Sequence, residues 1–252
     1  MKANDYQRFE NLTFDDFRLM AKDSNLSIHE KIGFPDTYRF DKENLILDDI
    51  KQKLTSLSAE NKVVLDIGCG CGALTHLLIE LCQKQQHHLI LVDSAEMLSE
   101  LPNTPYITKI AGYFPNQLHD FIMQYQTKID VILAYSVIQY VFSEANLFNF
   151  MDTSLSLLQH QGQLLFGDIP NISMRNRFMA SPDGEAFHQK FHGAGTIPTI
   201  HHTQLQAHKI DDAVVYALLM RARLSGYHAY LLPQAHSLPM ANRREDFLVI
   251  KP

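Results

Sequence analysis

The sequence predicts one α/β domain wound around a mostly parallel sheet, with a helical cap at its amino-terminal end. From Lys62 onward, short apolar runs alternate with stretches of helical periodicity, as parallel strands joined by helices do. One strand pattern runs into the glycine-rich turn Gly68-Cys69-Gly70-Cys71-Gly72 and then directly into a helix pattern. The tail breaks the alternation: two apolar runs follow each other without a helix between them, which makes that pair antiparallel. With 252 residues, 46% of them apolar, the chain can bury one sizeable core.

The cap is assigned to residues 1 to 60 and the α/β domain to 61 to 252. In the cap, Thr13-Phe14-Asp15-Asp16 reads as a capping box that opens a helix with Phe14, Phe17 and Met20 on one side. Ile32 to Arg39 reads as a loop. Ile46, Leu47, Ile50, Leu54 and Leu57 recur at helical spacing and predict a helix from about Lys42 to Leu57. The strands follow as Val63 to Ile67, Leu89 to Val92, Tyr106 to Ala111, Ile129 to Ala134, Gln163 to Asp168, Tyr227 to Leu232 and Asp246 to Lys251, seven in all. Helices are predicted around Leu74 to Leu81, Ala95 to Leu101, Gln117 to Gln124, Leu147 to Leu158 and Asp211 to Ser225, the last closed by Gly226. The stretch of about 170 to 210 interrupts the pattern just past the fifth strand, where α/β sheets bind ligands, and is expected to cover a substrate.

Composition narrows the function classes. The formal charge of −6 and the lack of a basic stripe argue against a nucleic-acid partner, whose phosphates demand clustered Lys and Arg. No apolar run reaches the roughly 18 residues a membrane span needs, and the polar opening Met1 to Gln7 lacks the apolar core of a signal peptide, so a cytoplasmic protein is expected. Three cysteines, Cys69, Cys71 and Cys82, fit free thiols in a reducing compartment. A metal site is not expected: Cys69 and Cys71 occupy variable positions of the glycine turn, and His201-His202 has no matching partner pair.

The turn itself carries the strongest functional signal. Glycine lets a backbone approach a ligand closely, but Gly68, Gly70 and Ala73 also satisfy the Gly-x-Gly-x-x-Ala pattern of dinucleotide binders, so this spacing does not separate cofactors. Asp66 discriminates. It sets a charge inside a strand that should be buried, and such a group needs a polar partner; an ammonium would serve, whereas a pyrophosphate would be repelled. A purely structural Asp66, tying down the turn through backbone amides, is the alternative. Asp93, at the end of the second strand, stands where an acid can hold both ribose hydroxyls of an adenosine, with helix capping as its plainer role.

Val63-Val64-Leu65-Asp66-Ile67-Gly68-Cys69-Gly70-Cys71-Gly72 resembles the first motif of class I S-adenosylmethionine (SAM)-dependent methyltransferases. The likeness continues through Leu91-Val92-Asp93-Ser94-Ala95-Glu96-Met97-Leu98 and covers roughly residues 60 to 252. It implies a Rossmann-like seven-stranded sheet with an antiparallel last strand. It also implies SAM as cofactor, held at Asp66, Gly68, Cys69, Gly70, Asp93 and Ser94. By the same analogy Met97 packs on adenine, Gly112 and Tyr113 lie near its edge, and Ala134 and Tyr135 lie beneath the sulfonium. The family often carries an acid after the third strand; here Ala111-Gly112-Tyr113-Phe114 leaves backbone and aromatic contact to hold adenine.

Members that methylate amino groups of nucleobases or glutamine carry Asn or Asp, Pro-Pro and an aromatic residue after the fourth strand. Ala134-Tyr135-Ser136-Val137-Ile138-Gln139-Tyr140 is similar instead to the small-molecule branch, so the expected partner is a small acceptor methylated on a hydroxyl or amine. The segment Ser27 to Pro35 resembles that of bacterial methyltransferases acting on surface-glycan sugars, which suggests a sugar or sugar nucleotide. The 170 to 210 stretch holds His188, His192, His201, His202 and His208 beside Arg175, Arg177 and Lys190, suited to a polar or anionic acceptor. His192, flanked by Gly193 and Gly195, is the candidate base. Two other readings stay open at this point: an NAD-dependent oxidoreductase and a SAM-binding module without catalysis. Acceptor, methylated atom and oligomeric state are not encoded in any recognisable motif.

Overall fold

A computed structural model describes residues 8–9, 12–35, 41–200, 206 and 208–252. Its centre is a seven-stranded sheet: β1 (Val63–Ile67), β2 (His88–Asp93), β3 (Ile107–Ala111), β4 (Ile129–Tyr135), β5 (Leu158–Pro170), β6 (His228–Pro233) and β7 (Arg244–Ile250). The order is β3-β2-β1-β4-β5-β7-β6, and β7 alone runs antiparallel to its neighbours. This is the class I methyltransferase Rossmann-like arrangement that the resemblance implies. Strand order reverses between β1 and β4, so the crevice at their carboxyl ends is the switch point where such sheets take ligands.

The helices are α1 (Phe14–Lys22), α2 (Ile28–Lys31), α3 (Glu43–Lys53), α4 (Ala73–Lys84), α5 (Ala95–Ser99), α6 (His119–Tyr125), α7 (Ile138–Glu144), α8 (Leu147–Leu157), α9 (Ile172–Met179), α10 (Pro182–His192) and α11 (Asp212–Leu224). Successive strand residues point to opposite faces, so each strand feeds two cores. Leu65, Ile67, Ile132 and Ala134 pack with Phe150 and Met151 of α8 and with Val215 and Leu218 of α11. Val64, Val131 and Leu133 pack with Ile46 and Ile50 of α3 and with Leu78, Ile79 and Cys82 of α4.

The capping box at α1 forms as expected: the Thr13 side chain takes the Asp16 N–H, and the Asp16 carboxylate takes the Thr13 N–H. Helix α3 is shorter than its periodicity suggests. It ends at Lys53 and a short 3-10 turn, Thr55–Ser58, follows, because Gln163 on β5 accepts the Ser56 N–H at 2.9 Å. Leu54 and Leu57 nevertheless stay fully buried, so their apolar spacing reported burial rather than continuous helix. Three further differences concern the carboxyl edge. Helix α7 was not anticipated; β5 starts at Leu158 instead of Gln163; and the interruption near 170 to 210 contains two capped helices. Asn171 caps α9, and Ser181 followed by Pro182 at the first turn caps α10, a signal present in the sequence.

Candidate active site

At the carboxyl end of β1 the chain turns through Gly68 (φ 71°) and Gly70 (φ 61°) into α4. A Cβ on Gly68 would stand 2.7 Å from Val137 Cγ2, in a backbone conformation that side chains rarely adopt. Gly68→Ala is therefore expected to lower stability by about 1–3 kcal/mol, read as a lower urea midpoint at unchanged slope.

Two carboxylates flank this turn and differ in their surroundings. Both oxygens of Asp93 accept a backbone hydrogen bond: Oδ2 takes the Gly70 N–H at 2.8 Å and Oδ1 takes the Ser94 N–H at 2.6 Å. Burial raises its pKa to about 6, and these two donors keep it from rising further. Asp66 is 5% exposed and accepts no hydrogen bond from any described residue. Burial first, and the charge of Asp93 second, push it up to about 8. Asp66 thus does not tie down the turn through backbone amides.

A cavity opens over these groups, lined by Asp66, Gly68, Cys69, Gly70, Asp93, Met97, Gly112, Tyr113 and Tyr135. Its roof is the amino-terminal segment. Phe14, Phe17, Ile32 and Phe34 line it, and Ile32 lies so close to the turn that a Cβ on Gly72 would meet its Cδ1 at 2.6 Å. Edge-to-face ring contacts of Phe14 with Tyr113 (5.1 Å) and Phe17 with Tyr140 (5.0 Å) hold the roof, and Arg18 makes a two-point ion pair with Glu96 on α5. Ser136 (φ 60°), just past β4, lines the cavity, and its Oγ donates a 2.5 Å hydrogen bond to the carboxylate of Asp168 (φ 61°) near the end of β5. Two left-handed non-glycine residues side by side mark a place where the fold holds backbone against its preference.

A second cleft of about 780 Å³ adjoins the first and shares Phe34, Tyr140 and Glu144 with it. Gly33, Gln139, Asn171, Arg175, Lys209 and Arg243 are among its other walls. Glu144 accepts the Phe14 N–H at 3.2 Å, and partial burial raises its pKa above the usual glutamate value.

The sequence model of a family described as "Methyltransferase domain" matches residues 39–205. The chain belongs to this methyltransferase family. Solved structures share its fold at low identity. The methyltransferase domain of bacterial CtHen1-C is 16% identical with a TM-score of 0.54, over 83% of this chain and 99% of that one. The plantazolicin methyltransferase BamL, solved with a triazolic desmethylPZN analog and SAH, is 15% identical with a TM-score of 0.55, over 94% and 96%. A SAM-dependent methyltransferase from Aquifex aeolicus is 12% identical with a TM-score of 0.52, over 88% and 96%. No curated protein matches the sequence. The chain is accordingly a SAM-dependent methyltransferase of class I.

In this methyltransferase most of the residues singled out from the sequence converge on the cavity, with three exceptions. Ser94 lies just outside it, where its side chain caps α5 through the Met97 N–H. Ala134 does not line the cavity; it is fully buried in the core with Leu65 and Ile132, on the strand face opposite to Tyr135. His192 is exposed at the end of α10, stacked on His188 at 4.3 Å, and lines neither cavity nor cleft. The helix accounts for this: spacing of four residues puts both imidazoles on one outward face. His208 does line the cleft, while His201 and His202 lie outside the described residues.

Sequence reasoning missed Phe14, Phe17, Ile32, Phe34 and Glu144 as site residues. Their apolar pattern signalled a packed helix, not which element they would cover. Burial pushes the Cys71 and Cys82 thiols up to about 11 and 12 and raises Cys69 as well, so all three stay protonated at neutral pH. Among the described residues no group of three His, Cys, Asp or Glu could hold a metal ion, and no helix is long and apolar enough to cross a membrane.

Proposed function

We propose that this methyltransferase transfers the SAM methyl group to a hydroxyl or amine of a small molecule bound in the cleft beside the cofactor cavity. The observation that carries the reading is the junction itself: one cavity bears the two carboxylates, the other a set of polar walls, and they meet at Phe34, Tyr140 and Glu144. A cleft of about 780 Å³ lies within the roughly 300–1,000 Å³ usual for small-molecule sites. Its openness favours catalysis over a binding module with a blocked acceptor pocket.

The residues fit the cofactor. Asp66 is a buried carboxylate without a donor among the described residues, which an ammonium would satisfy. Asp93, held by Gly70 and Ser94, keeps further lone pairs for ribose hydroxyls. Gly68, Cys69 and Gly70 offer backbone, Met97 and Tyr113 flank the adenine side together with Gly112, and Tyr135 forms the floor. When bound, SAM supplies a methyl group on a sulfonium, which an acceptor displaces in line. The chain's own task is to position the acceptor and exclude water, for which the roof of Phe14, Phe17, Ile32 and Phe34 is suited. Glu144, and not the His192 imidazole, is the group placed to take the acceptor's proton, and its raised pKa strengthens it as a base.

A sugar or sugar nucleotide remains the favoured acceptor, since Phe34 and Pro35 of the segment that resembles glycan-acting enzymes line the cleft. Titration calorimetry with SAM, SAH and NAD tests the cofactor, and turnover with sugars, phenols and amines tests the acceptor. Micromolar SAH binding, weakened about ten- to a hundredfold in Asp93→Ala, is expected. Binding of NAD alone would defeat the reading, and turnover of phenols but of no sugar would remove the sugar assignment.

A further inference from the structure

The second cleft carries a charge opposite to that of the protein. The chain has a formal charge of −6, yet among the described residues lining this cleft Arg175, Lys209, Arg243 and Arg244 face a single carboxylate, Glu144. Arg244 is already engaged by Asp168, donating to its carboxylate at 2.7 Å and to its carbonyl at 3.0 Å. The nearby carboxylates are likewise engaged: Asp212 pairs with Arg177 and accepts from Asn171, and Glu245 accepts from Asn171. None of these acids lines the cleft. Three further cations come from separate places in the fold: Arg175 from α9, Lys209 from the segment before α11, and Arg243 from the turn before β7. Arg243 lies over the Phe187 ring at 4.7 Å, which fixes the plane of its guanidinium. Arg175 and Lys209 have no ion-pair partner among the described residues.

We propose that this cleft binds the phosphate of a phosphorylated small-molecule acceptor through Arg175, Lys209 and Arg243, with the group to be methylated at the Tyr140–Glu144 end. Cations approaching from three elements suit an anion that presents oxygens in several directions, as phosphate and diphosphate do, whereas a lone carboxylate is matched by one guanidinium fork. The size of the cleft suits a sugar phosphate or nucleotide. Glu144, which the cleft shares with the cofactor cavity, faces the acceptor's reacting group. The assignment rests on the methyltransferase reading for its direction: the anion end lies in the cleft and the reacting end at the cofactor cavity.

The test is calorimetry of the SAH-saturated full chain with inorganic phosphate and pyrophosphate, for the wild type, Arg175→Ala and Lys209→Ala. SAH binding is measured first on each sample. Submillimolar pyrophosphate binding is expected, weakened about tenfold or more in each variant while SAH affinity holds. Phosphate equal to pyrophosphate indicates a monoester, and stronger pyrophosphate a nucleotide-linked acceptor; both support the proposal. Pyrophosphate should also inhibit turnover competitively against the acceptor and not against SAM. SAH binding without any pyrophosphate binding at millimolar concentration overturns the phosphate site alone. Absence of SAH binding overturns the methyltransferase reading instead. Pyrophosphate binding unchanged in both variants, or single-stranded oligonucleotide bound more tightly than pyrophosphate, also overturns the proposal.

Discussion

Asp66→Asn is expected to weaken SAM binding by about a hundredfold and, at alkaline pH, to stabilise the cofactor-free protein. Both effects come from one buried charge. Asp66 sits at 5% exposure with no donor among the described residues, beside Asp93, and its pKa rises to about 8 against an ordinary value of 3.8. The folded chain therefore keeps a proton between about pH 4 and pH 8 that the unfolded chain has released. With more protons bound in the folded state, stability falls as pH rises through that window. Asparagine removes the penalty and leaves the shape of the strand intact.

The same proton governs cofactor affinity. A bound ammonium favours the ionised carboxylate, so SAM affinity should rise with pH by up to about tenfold per unit toward pH 8, then level off. Calorimetry at several pH values, in buffers of different ionisation enthalpy, would detect the released proton. The Asn variant should show neither the slope nor the proton release. A wild type whose affinity is flat from pH 6 to 8 would mean that Asp66 does not meet the ammonium.

The largest expected loss of stability belongs to Lys53→Met, at about 3–5 kcal/mol. Lys53 Nζ donates to Asp49 at 2.5 Å and to Asp246 at 2.6 Å, and the Asp246 side chain is fully buried. Asp246 also accepts the Asp168 N–H at 2.8 Å and the Gln234 side-chain amide at 3.1 Å. The network thus runs from α3 through β7 to Asp168 and Ser136 beneath the cofactor cavity. Burial raises Asp246, and Lys53 is the first influence opposing it, so removing the lysine leaves a buried carboxyl that must stay protonated or pay for its isolation. Denaturant unfolding would measure the loss. Adding Asp246→Asn should recover part of it, because the amide oxygen still accepts the Asp168 N–H without needing a counter-ion. A loss below 1 kcal/mol in Lys53→Met would show that water reaches the network.

The division between sequence and tertiary structure follows from the range of the forces involved. Periodicity and turn chemistry are local, and they determined the seven strands, the glycine turn and the placement of Asp66 and Asp93 at strand ends, because a parallel sheet needs apolar runs and a close backbone approach needs glycine. Local pattern also held the caps of α9 and α10, although the histidine-rich texture there read as an open cover. What lies over the crevice was settled only by packing. Ile32, more than thirty residues before Gly70 along the chain, rests on that turn because the cap's apolar face must be buried somewhere, and the sequence does not say where. The same holds for Glu144, brought to the junction by α7, and for Arg175, Lys209 and Arg243, which lie apart in the sequence and line one cleft when three separate elements meet. His192 shows the converse: its residue type and flanking glycines pointed to chemistry, and helix geometry turned it to solvent.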